Sequence, residues 1–366
     1  MNKQVATALA ALLLVAACAG AQPTMAPTPT SKPAGSATPA PTATSPATAV
    51  PATATATPTS SAPSSTAASP TSAPITVTGD DGVAVTLAAP PLKVVSLTPA
   101  TSELMFALGA GDRLVGRTDY DDYPPEVASV PAVATFQGVE MEKVVNIGPD
   151  LVLAGGNSFT SAADIQRMRD LGYPVLVLYA PDVTGVLSDI KVVGEAVSEV
   201  AAAEQITANI QARIDEVTAA VADLPTPSTF YEISVDTEIY GPAPDSFVAD
   251  MVGIAGGDPV TTTDPAVFSI SLERLVSLDP QVIVLGDAAY GTCPDAVAAR
   301  PGWKGISAVK SGTIVPVDDT IVTRPGPRLG EGLAALALAI HPDAAIAPPV
   351  GAPPYCPSAS PSPGPS

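Results

Sequence analysis

The stretch MEKVVNIGPDLVLAGG, Met141–Gly156, is repeated later in the chain as LERLVSLDPQVIVLGD, Leu272–Asp287. Each copy runs through a short apolar helix to a proline, which ends the helix because it lacks an N–H and clashes with the preceding turn. The residues that follow, Leu151–Ala154 and Val282–Leu285, are apolar at every position. Such runs are typical of parallel strands covered on both faces. The repeat therefore predicts two similar lobes.

The sequence before each copy also matches in kind. Lys93–Leu97 (KVVSL) is a β-branched run followed by a helix that the glycines of 109–111 close. Thr229–Val235 (TFYEISV) is a second such run, and its helix ends at the glycines of 256–257. Glycine favours helix C-termini because it adopts the left-handed conformation at little cost. The order strand, helix, Glu-led helix, buried strand predicts two α/β lobes with mainly parallel sheets.

Between the halves, apolar residues recur at helical spacing. The pattern predicts a helix from about Thr184 to Ser198 and a longer one from about Ala201 to Asp223. The longer helix would span roughly 30 Å, at about 1.5 Å per residue. A single long rigid helix between the lobes makes a stiff hinge. It leaves a cleft bordered by the carboxyl ends of both sheets, where ligands bind in open α/β sheets.

Both ends of the chain differ from its middle in composition. A basic start (Lys3), an apolar run (Val5–Val15) and small residues before Cys18 predict a signal peptide over residues 1–17. The apolar run is too short for a membrane-spanning helix, which needs about 20 residues. Residues 18–74 are almost entirely Ala, Thr, Ser and Pro, and they cannot build a core. We interpret them as a disordered tether, and residues 346–366 as a disordered Pro/Ser tail.

The folded unit is predicted to lie between these segments. We divide it into an N-terminal lobe (75–183), a helical linker (184–224) and a C-terminal lobe (225–345). Two of the 16 basic residues lie in the leader and tether, so the folded unit holds 14 basic and all 36 acidic residues, a net charge of −22. This charge repels nucleic acid and anionic headgroups and suits a cationic ligand or a basic docking partner. Solubility of an exported domain explains it equally well.

Few residues in the sequence are suited to catalysis or to metal binding. The only histidine, His341, precedes a proline at a helix end, where we expect it to interact with the carbonyl end of that helix. A bare zinc or manganese site needs several ligands, so no direct metal site and no resident cofactor is predicted. A hydrolytic triad, a Walker A loop and a dinucleotide fingerprint are all missing, which argues against an enzyme. Cys293 and Cys356 are hypothesised to form a disulfide, with two reactive thiols as the alternative.

Further motifs occur in one order along the chain. They are VVSLTPATSELMFALGAGDRLVGRTDYDDYPPE from Val94, FQGVEMEKVVNIGPDLVLAGGN from Phe136, SISLERLVSLDPQVIVLG from Ser269, RPGWKGISAVKSGTIVPVDD from Arg300 and RPGPRLGEGLAALALAIHP from Arg324. Together they resemble the periplasmic binding proteins for cobalamin and ferric siderophores. The resemblance implies two Rossmann-like lobes bridged by one helix, with small closure. It also implies capture of a metal chelate, either a corrinoid or a ferric siderophore, for delivery to an ABC importer.

The resemblance further implies how the protein meets its partners. Glu142 and Glu273, which the repeat pairs, match surface glutamates that dock into arginine pockets of the permease dimer, which works with its ATPase subunits. The alternative is a carboxylate placed at a helix start because it is favoured by the helix dipole. The ending LLVAAC resembles a bacterial lipobox, which implies that Cys18 carries a lipid anchor at the outer face of the cytoplasmic membrane. A freely secreted protein is the alternative. We expect a monomer that contacts the membrane through this anchor only and does not bind nucleic acid.

The same resemblance assigns ligand contacts in part. Tyr120 matches a tyrosine of the cobalamin pocket, Phe136 matches a tryptophan there, and Arg324 aligns with an arginine that reaches the ligand. The alternative for Arg324 is a salt bridge to Asp318 or Asp319, and an arginine in an apolar cleft also suits bidentate contacts to ligand oxygens.

Two further tryptophans of the cobalamin site are replaced, one by the glycines of 155–156 and one by Val267 beside Phe268. Their loss places cobalamin level with ferric siderophores, and haem is third. Tyr240, Phe268 and Tyr290 are predicted as further cleft walls, with ordinary packing as the alternative. Trp303 is predicted to anchor its own loop. A surface sensor or an enzyme on the same two-lobed fold is the alternative from another class.

Overall fold

The computed structural model describes residues 73–156, 159–349 and 356. The predicted signal peptide, Cys18 and most of the predicted tether and tail lie outside this part of the chain. Within it, no helix is both long and apolar enough to span a bilayer.

The first lobe is built on a six-stranded sheet. Its strand order is β6-β5-β4-β3-β7-β8, and every neighbouring pair is parallel except β5 with β6. A separate antiparallel hairpin, β1–β2, precedes it. The carboxyl ends of its five parallel strands therefore share one edge. The elements are β1 (Ile75–Thr78), β2 (Ala84–Leu87), β3 (Val94–Ser96), α1 (Pro99–Ala107), β4 (Leu114–Thr118), β5 (Ala132–Thr135), β6 (Gly138–Val139), α2 (Met141–Ile147), β7 (Leu151–Gly155), α3 (Ala162–Asp170) and β8 (Val175–Leu178).

Two helices follow where the apolar spacing predicts them. They are α4 (Val183–Ala196) and the 22-residue α5 (Val200–Val221). The side chain of Asp182 caps α4 by accepting the N–H of Gly185. Ser198, with a φ of 61°, makes the turn between the two helices.

The second lobe contains a four-stranded parallel sheet of order β12-β9-β14-β15 and a small antiparallel sheet of order β10-β11-β13. The predicted single strand Thr229–Val235 is wrong. Ile233 donates its N–H to the Tyr240 carbonyl, so the chain leaves the parallel sheet there. The elements are β9 (Ser228–Glu232), β10 (Ser234–Val235), β11 (Ile239–Tyr240), α6 (Phe247–Ile254), β12 (Asp258–Pro259), β13 (Ser269–Ile270), α7 (Leu272–Leu278), β14 (Val282–Leu285), α8 (Pro294–Ala298), α9 (Ser307–Ser311), β15 (Ile314–Pro316), α10 (Asp319–Val322) and α11 (Leu329–Ile340).

The repeat is present as the pairs α2–β7 and α7–β14, but the prolines are not what ends the helices. The residue before each proline, Gly148 or Asp279, is left-handed with a φ of 59° or 44° and returns its N–H to the helix. This is the usual αL C-cap. Asp279 tolerates the conformation because its carboxylate accepts two hydrogen bonds from Ser307, at 2.7 and 2.9 Å. A non-glycine residue can therefore replace glycine where its side chain is held.

One apolar core continues through both lobes. Leu151 and Leu153 of β7, and Val282 and Val284 of β14, point into this shared cluster together with α4, α5 and α11. The alternate residues of the same strands point into two further clusters, one in each lobe. Equivalent faces of the repeated strands thus pack on the helical side of the molecule. The lobes are joined by continuous packing as well as by one helix.

Candidate functional site

Two predicted aromatic residues meet at the carboxyl edge of the first sheet. Tyr120 follows β4 and Phe136 follows β5, and these strands are neighbours in the sheet. Their rings stack with centroids 4.2 Å apart and planes inclined by 20°. Phe136 is 82% exposed, whereas burial raises the pKa of Tyr120. The pair presents a flat aromatic face to solvent at the edge where ligands bind in such sheets.

A third ring at this edge, Phe159, is absent from the sequence prediction. It follows β7 and is 73% exposed. A Cβ on Gly155 would lie 2.7 Å from the Phe159 Cβ, so glycine is what lets Phe159 pack there. The glycines of 155–156 replace a ring of the cobalamin site, but the structure places another ring beside the same strand end. An aromatic residue shortly after a glycine pair that closes a buried strand is the signal that was missed.

The loop that carries Tyr120 is fixed by a buried carboxylate. Asp121 is 5% exposed and accepts hydrogen bonds from the hydroxyls of Ser102 and Thr118. Burial raises the pKa of Asp121, while these hydrogen bonds act in the opposite direction. Because Ser102 lies in α1 and Thr118 ends β4, the contacts orient the residues on either side of Asp121.

Four charged residues, Glu103, Asp122, Arg324 and Arg328, form an interlobe ion cluster. Arg324 Nη1 donates to Glu103 Oε1 at 2.8 Å and to Asp122 Oδ1 at 2.5 Å. Arg328 binds both oxygens of Glu103 at 2.7 Å each, and Glu103 is only 2% exposed. Since the glutamate and aspartate belong to the first lobe and both arginines to the second, the carboxyl edges of the two sheets meet here.

The alternative prediction for Arg324, a salt bridge to Asp318 or Asp319, is wrong, because the guanidinium reaches across to the other lobe. Burial opposes the charge of Asp122, but the hydrogen bond and charge of Arg324 hold the pKa of Asp122 below its ordinary value. The ligand contact predicted for Arg324 would therefore have to compete with Asp122.

A cavity of about 510 Å³ adjoins the cluster on the side of α5. Glu103 and Arg328 border it, as does Tyr123, whose ring lies 4.2 Å from the guanidinium of Arg328. The aromatic residues predicted to contact the ligand do not border this cavity. It therefore lies apart from the aromatic face of Tyr120 and Phe136.

The second lobe brings fewer rings to the edge of its parallel sheet. Tyr290, at the end of the 3-10 helix Gly286–Tyr290 that follows β14, is 83% exposed. Tyr240 and Phe268 lie instead on or beside the small antiparallel sheet, where Tyr240 pairs with Ser269. Phe268 is 40% exposed. Among the three predicted walls of this lobe, only Tyr290 lies at a parallel strand end.

Three predictions on structural residues are also answered. The disulfide Cys293–Cys356 is confirmed, with Cα atoms 5.6 Å apart. Trp303 is 3% exposed with Arg300 over its ring at 4.7 Å, as expected of an anchor. The backbone N–H of His341 ends α11, but its ring contacts the Gly256 carbonyl at 3.1 Å and not a carbonyl of its own helix.

The described residues contain no group of three or more His, Cys, Asp or Glu side chains placed to hold a metal ion.

Glu142 and Glu273 occupy the same position in α2 and α7, the second residue of each helix. Both are exposed, and neither makes a hydrogen bond or an ion pair with any residue in the described ranges. The basic residue that follows each one is engaged elsewhere. Lys143 pairs with Glu140 at 2.6 Å, and Arg274 reaches the Thr261 carbonyl at 3.5 Å. The two carboxylates are therefore available to a partner.

Two α/β lobes, a shared helical side and a ligand edge between the sheets define a class of solute-binding protein. The chain belongs to the periplasmic binding protein family, whose model matches residues 94–320. Proteins of this class bind small-molecule ligands, work with the permease and ATPase components of ABC transporters and are not enzymes.

Individual relatives agree with this assignment. The uncharacterized ABC transporter substrate-binding lipoprotein YvrC of Bacillus subtilis (strain 168) is 35% identical over 275 residues, which cover 74% of this chain and 86% of the relative. The cobalamin-binding protein of Halobacterium salinarum (strain ATCC 29341 / DSM 671 / R1) is 29% identical over 279 residues, 73% of this chain and 74% of the relative. The crystal structure of a periplasmic heme-binding protein from Pseudomonas aeruginosa matches with a TM-score of 0.61 and 25% identity, over 72% of this chain and 98% of that one.

Proposed function

We propose that the protein captures a metal chelate, a corrinoid or a ferric siderophore, in the cleft between its lobes and delivers it to an ABC importer. The observation that carries the proposal is the stacked pair at the carboxyl edge of the first sheet, in which the exposed Phe136 lies against the half-buried Tyr120. Exposing an apolar ring to water is unfavourable, and a ligand that covers the ring removes this cost. Aromatic faces bury large areas against bulky apolar surfaces. Phe159 extends this face beside the next strand end.

Relatives support the corrinoid and chelate assignment to different degrees. The Halobacterium salinarum relative is named for cobalamin and the Pseudomonas aeruginosa structure for heme. Haem is the second candidate, because it is flat and would also suit the aromatic pair. Its carboxylates would, however, need a cation, and Arg324 is already bound by Glu103 and Asp122. This pairing favours a ligand that needs no salt bridge from Arg324.

Delivery is proposed to use Glu142 and Glu273, one from each lobe, as contacts for basic pockets of the two permease subunits. Their matched positions, their exposure and their lack of partners among the residues that the structure describes support this role. We further propose that Cys18 is lipidated and holds the protein at the outer face of the cytoplasmic membrane, as a monomer. The bounds of the leader, tether, lobes and tail remain predictions.

The chelate proposal is tested by calorimetry of the purified protein against cobalamin, cobinamide, haem and a panel of ferric siderophores. We expect tight binding of one class at one chelate per protein, with the chelate recovered chemically unchanged. Absence of binding to every compound in the panel would contradict the proposed function.

The docking proposal is tested by the double substitution Glu142→Ala with Glu273→Ala, followed in a ligand uptake assay. We expect uptake to be lost while the affinity for the ligand is unchanged, because neither carboxylate contacts the cleft residues. The control is Glu195→Ala with Glu204→Ala, which removes the same charge from exposed positions on α4 and α5. Equal uptake by both double variants would rule out the docking role.

A further inference from the structure

Three oxygen atoms of the second lobe are buried without any hydrogen-bond partner in the described structure. They are Tyr231 Oη, Asp287 Oδ1 and Asp319 Oδ1. Tyr231 is fully buried and Asp287 is 6% exposed. Buried polar atoms are nearly always paired, because an unmade hydrogen bond leaves the full cost of desolvation. Orphan atoms of this kind need a physical explanation.

The three atoms lie at the ends of adjacent parallel strands. Tyr231 is in β9, Asp287 directly follows β14, and Asp319 begins α10 after β15. A Cβ on Gly286 would lie 2.5 Å from the Tyr231 hydroxyl, so this glycine makes room for it. Burial, and then the charges of Asp319, Asp287 and Asp318, raise the pKa of Tyr231, so these carboxylates are near enough to act on its hydroxyl. We call Tyr231, Asp287, Asp318 and Asp319 the C-lobe acid pocket.

The carboxylates of Asp287, Asp318 and Asp319 form no ion pair within the described ranges. Glu232, their buried neighbour, accepts hydrogen bonds from Arg300 Nη1 and Nη2 at 2.6 and 2.8 Å, yet burial and the adjacent Asp287 carboxylate raise the pKa of Glu232. Among the described residues, Asp287 accepts one hydrogen bond, from the Thr292 hydroxyl at 2.8 Å on Oδ2. Burial and the charge of Asp318 raise the pKa of Asp319 to about 6. Within the described ranges, the three orphan oxygens therefore have no donor, and no cation forms a salt bridge with the carboxylates that carry two of them.

The outer carboxylates of the pocket lie on the side of the interlobe ion cluster. Asp318 and Asp319 are half-buried, and the positive charge of Arg324, a member of the interlobe ion cluster, acts on Asp319. Tyr231 and Asp287 lie deeper, so a group that reaches all three orphan oxygens has to be small and carried on a narrow arm.

We propose that the C-lobe acid pocket binds a primary ammonium group carried on an alkyl arm of the cleft ligand. The inference rests on the proposed function and narrows its substrate class to a chelate with such an arm. An ammonium group has three N–H donors and no acceptor, which matches three oxygens without partners, and its charge offsets the unpaired carboxylates. The aromatic face of the first lobe would cover the body of the same ligand. A bare metal ion fits less well, because the described carboxylates are not grouped as metal ligands.

The test uses three forms of one ferric trihydroxamate: with a pendant primary ammonium, with that nitrogen acetylated, and with it trimethylated. Calorimetry with the full-length protein should show the ammonium form binding roughly tenfold or more tighter than both others, as hydrogen bonds between charged groups imply. The trimethylated form keeps the charge but has no N–H donor, so it separates hydrogen bonding from charge alone.

The matched variant is Asp287→Asn with Asp319→Asn, which keeps side-chain shape. We expect its preference for the ammonium form to fall to within about twofold, while its affinity for the acetylated form stays at the wild-type value, which also shows that it is folded. The control Glu195→Gln with Glu204→Gln changes the charge equally and should keep the preference.

The outcomes separate the two proposals. Chelate binding without a preference for the ammonium form, a preference that survives in the double variant, or binding only of chelates that lack an ammonium group would overturn the acid-pocket assignment and leave the proposed function standing. No binding by any chelate would overturn both.

Discussion

The two lobes present chemically opposite edges to the cleft although they share one repeat. In the first lobe the edge carries two exposed rings, Phe136 and Phe159, and the half-buried ring of Tyr120, and its carboxylate Asp122 is paired. In the second lobe the edge carries the acid pocket, and Tyr290 is its one predicted ring at a parallel strand end. The two copies of the scaffold therefore differ at the carboxyl ends of their strands, where a substitution changes the surface that faces the cleft without disturbing the core.

The divergence begins at equivalent residues. Gly155 and Gly286 occupy the same place in the repeat, directly at the ends of β7 and β14. Each leaves room for an aromatic neighbour, an exposed Phe159 in one lobe and the buried hydroxyl of Tyr231 in the other. A ligand that satisfies both edges has an apolar body on one side and hydrogen-bond donors on the other.

The largest expected effect comes from breaking the contact that holds the two edges together. Glu103→Ala would leave the inward-facing guanidinium groups of Arg324 and Arg328 without their shared carboxylate. Removing one partner of a buried ion pair costs about 3–5 kcal/mol, so we expect the free energy of unfolding in urea to fall by about that amount.

Asp122→Asn is the matched control for this loss. The Asp122 side chain is 60% exposed, and exposed pairs contribute about 0–1 kcal/mol. If the two variants lose the same stability, the buried pairing of Glu103 does not hold the edges together.

The next largest effect is the loss of ligand affinity when an exposed ring of the first lobe is removed. Phe136→Ala and Phe159→Ala should each weaken chelate binding by about 10- to 150-fold, because burying a Phe side chain contributes about 1.5–3 kcal/mol. The free energy of unfolding should stay within about 0.5 kcal/mol of wild type, since both rings are exposed. Calorimetry and urea unfolding measure the two effects.

Leu171→Ala removes a half-exposed apolar side chain after α3 and serves as the control. Affinity losses no greater than in this variant would mean that the rings do not face the ligand.

The smallest expected effect concerns two neighbouring carboxylates away from the cleft, which we expect to lower the free energy of unfolding. Burial and the neighbouring Asp80 raise the pKa of Asp189 in α4 to about 8. The folded protein then binds more protons than the unfolded chain between the ordinary Asp value of 3.8 and about 8, so its stability falls as pH rises through that window. Asp189→Asn should remove this fall and add at least about 1 kcal/mol at pH 8, since one pKa unit corresponds to about 1.4 kcal/mol.

Urea unfolding between pH 4.5 and 8 measures the effect, with the exposed Asp223→Asn as control. Parallel pH profiles for wild type and Asp189→Asn would contradict the pairing of Asp189 with Asp80.

The sequence predicts those parts of the fold that depend on local pattern. Continuous apolar runs identify β7 and β14, helical spacing identifies α4 and α5 to within two residues, and the offset of the repeat identifies two lobes. The stacking of Tyr120 on Phe136 follows from their positions after neighbouring strands, once the resemblance has singled them out. The ligand contacts themselves stay predictions.

What the sequence does not predict depends on partners far apart in the chain. Arg324 and Glu103 are 221 residues apart, and no local pattern indicates that they meet. The acid pocket likewise combines side chains at the ends of three strands, β9, β14 and β15. The sequence around each one, taken alone, does not indicate a binding site. Phe159 was missed because its role depends on the space above Gly155 and not on its own neighbours.

The apolar core that runs from Leu153 through α4 and α5 to Val284 limits how the protein can let its cargo go. Lobes joined by a flexible hinge release a ligand when thermal motion opens the cleft. In this protein a wide opening would separate side chains that are close-packed across both lobes. Unloading therefore calls for mechanical work from outside. A transporter that docks on Glu142 and Glu273, as proposed above, would be placed to supply that work by moving the two lobes apart.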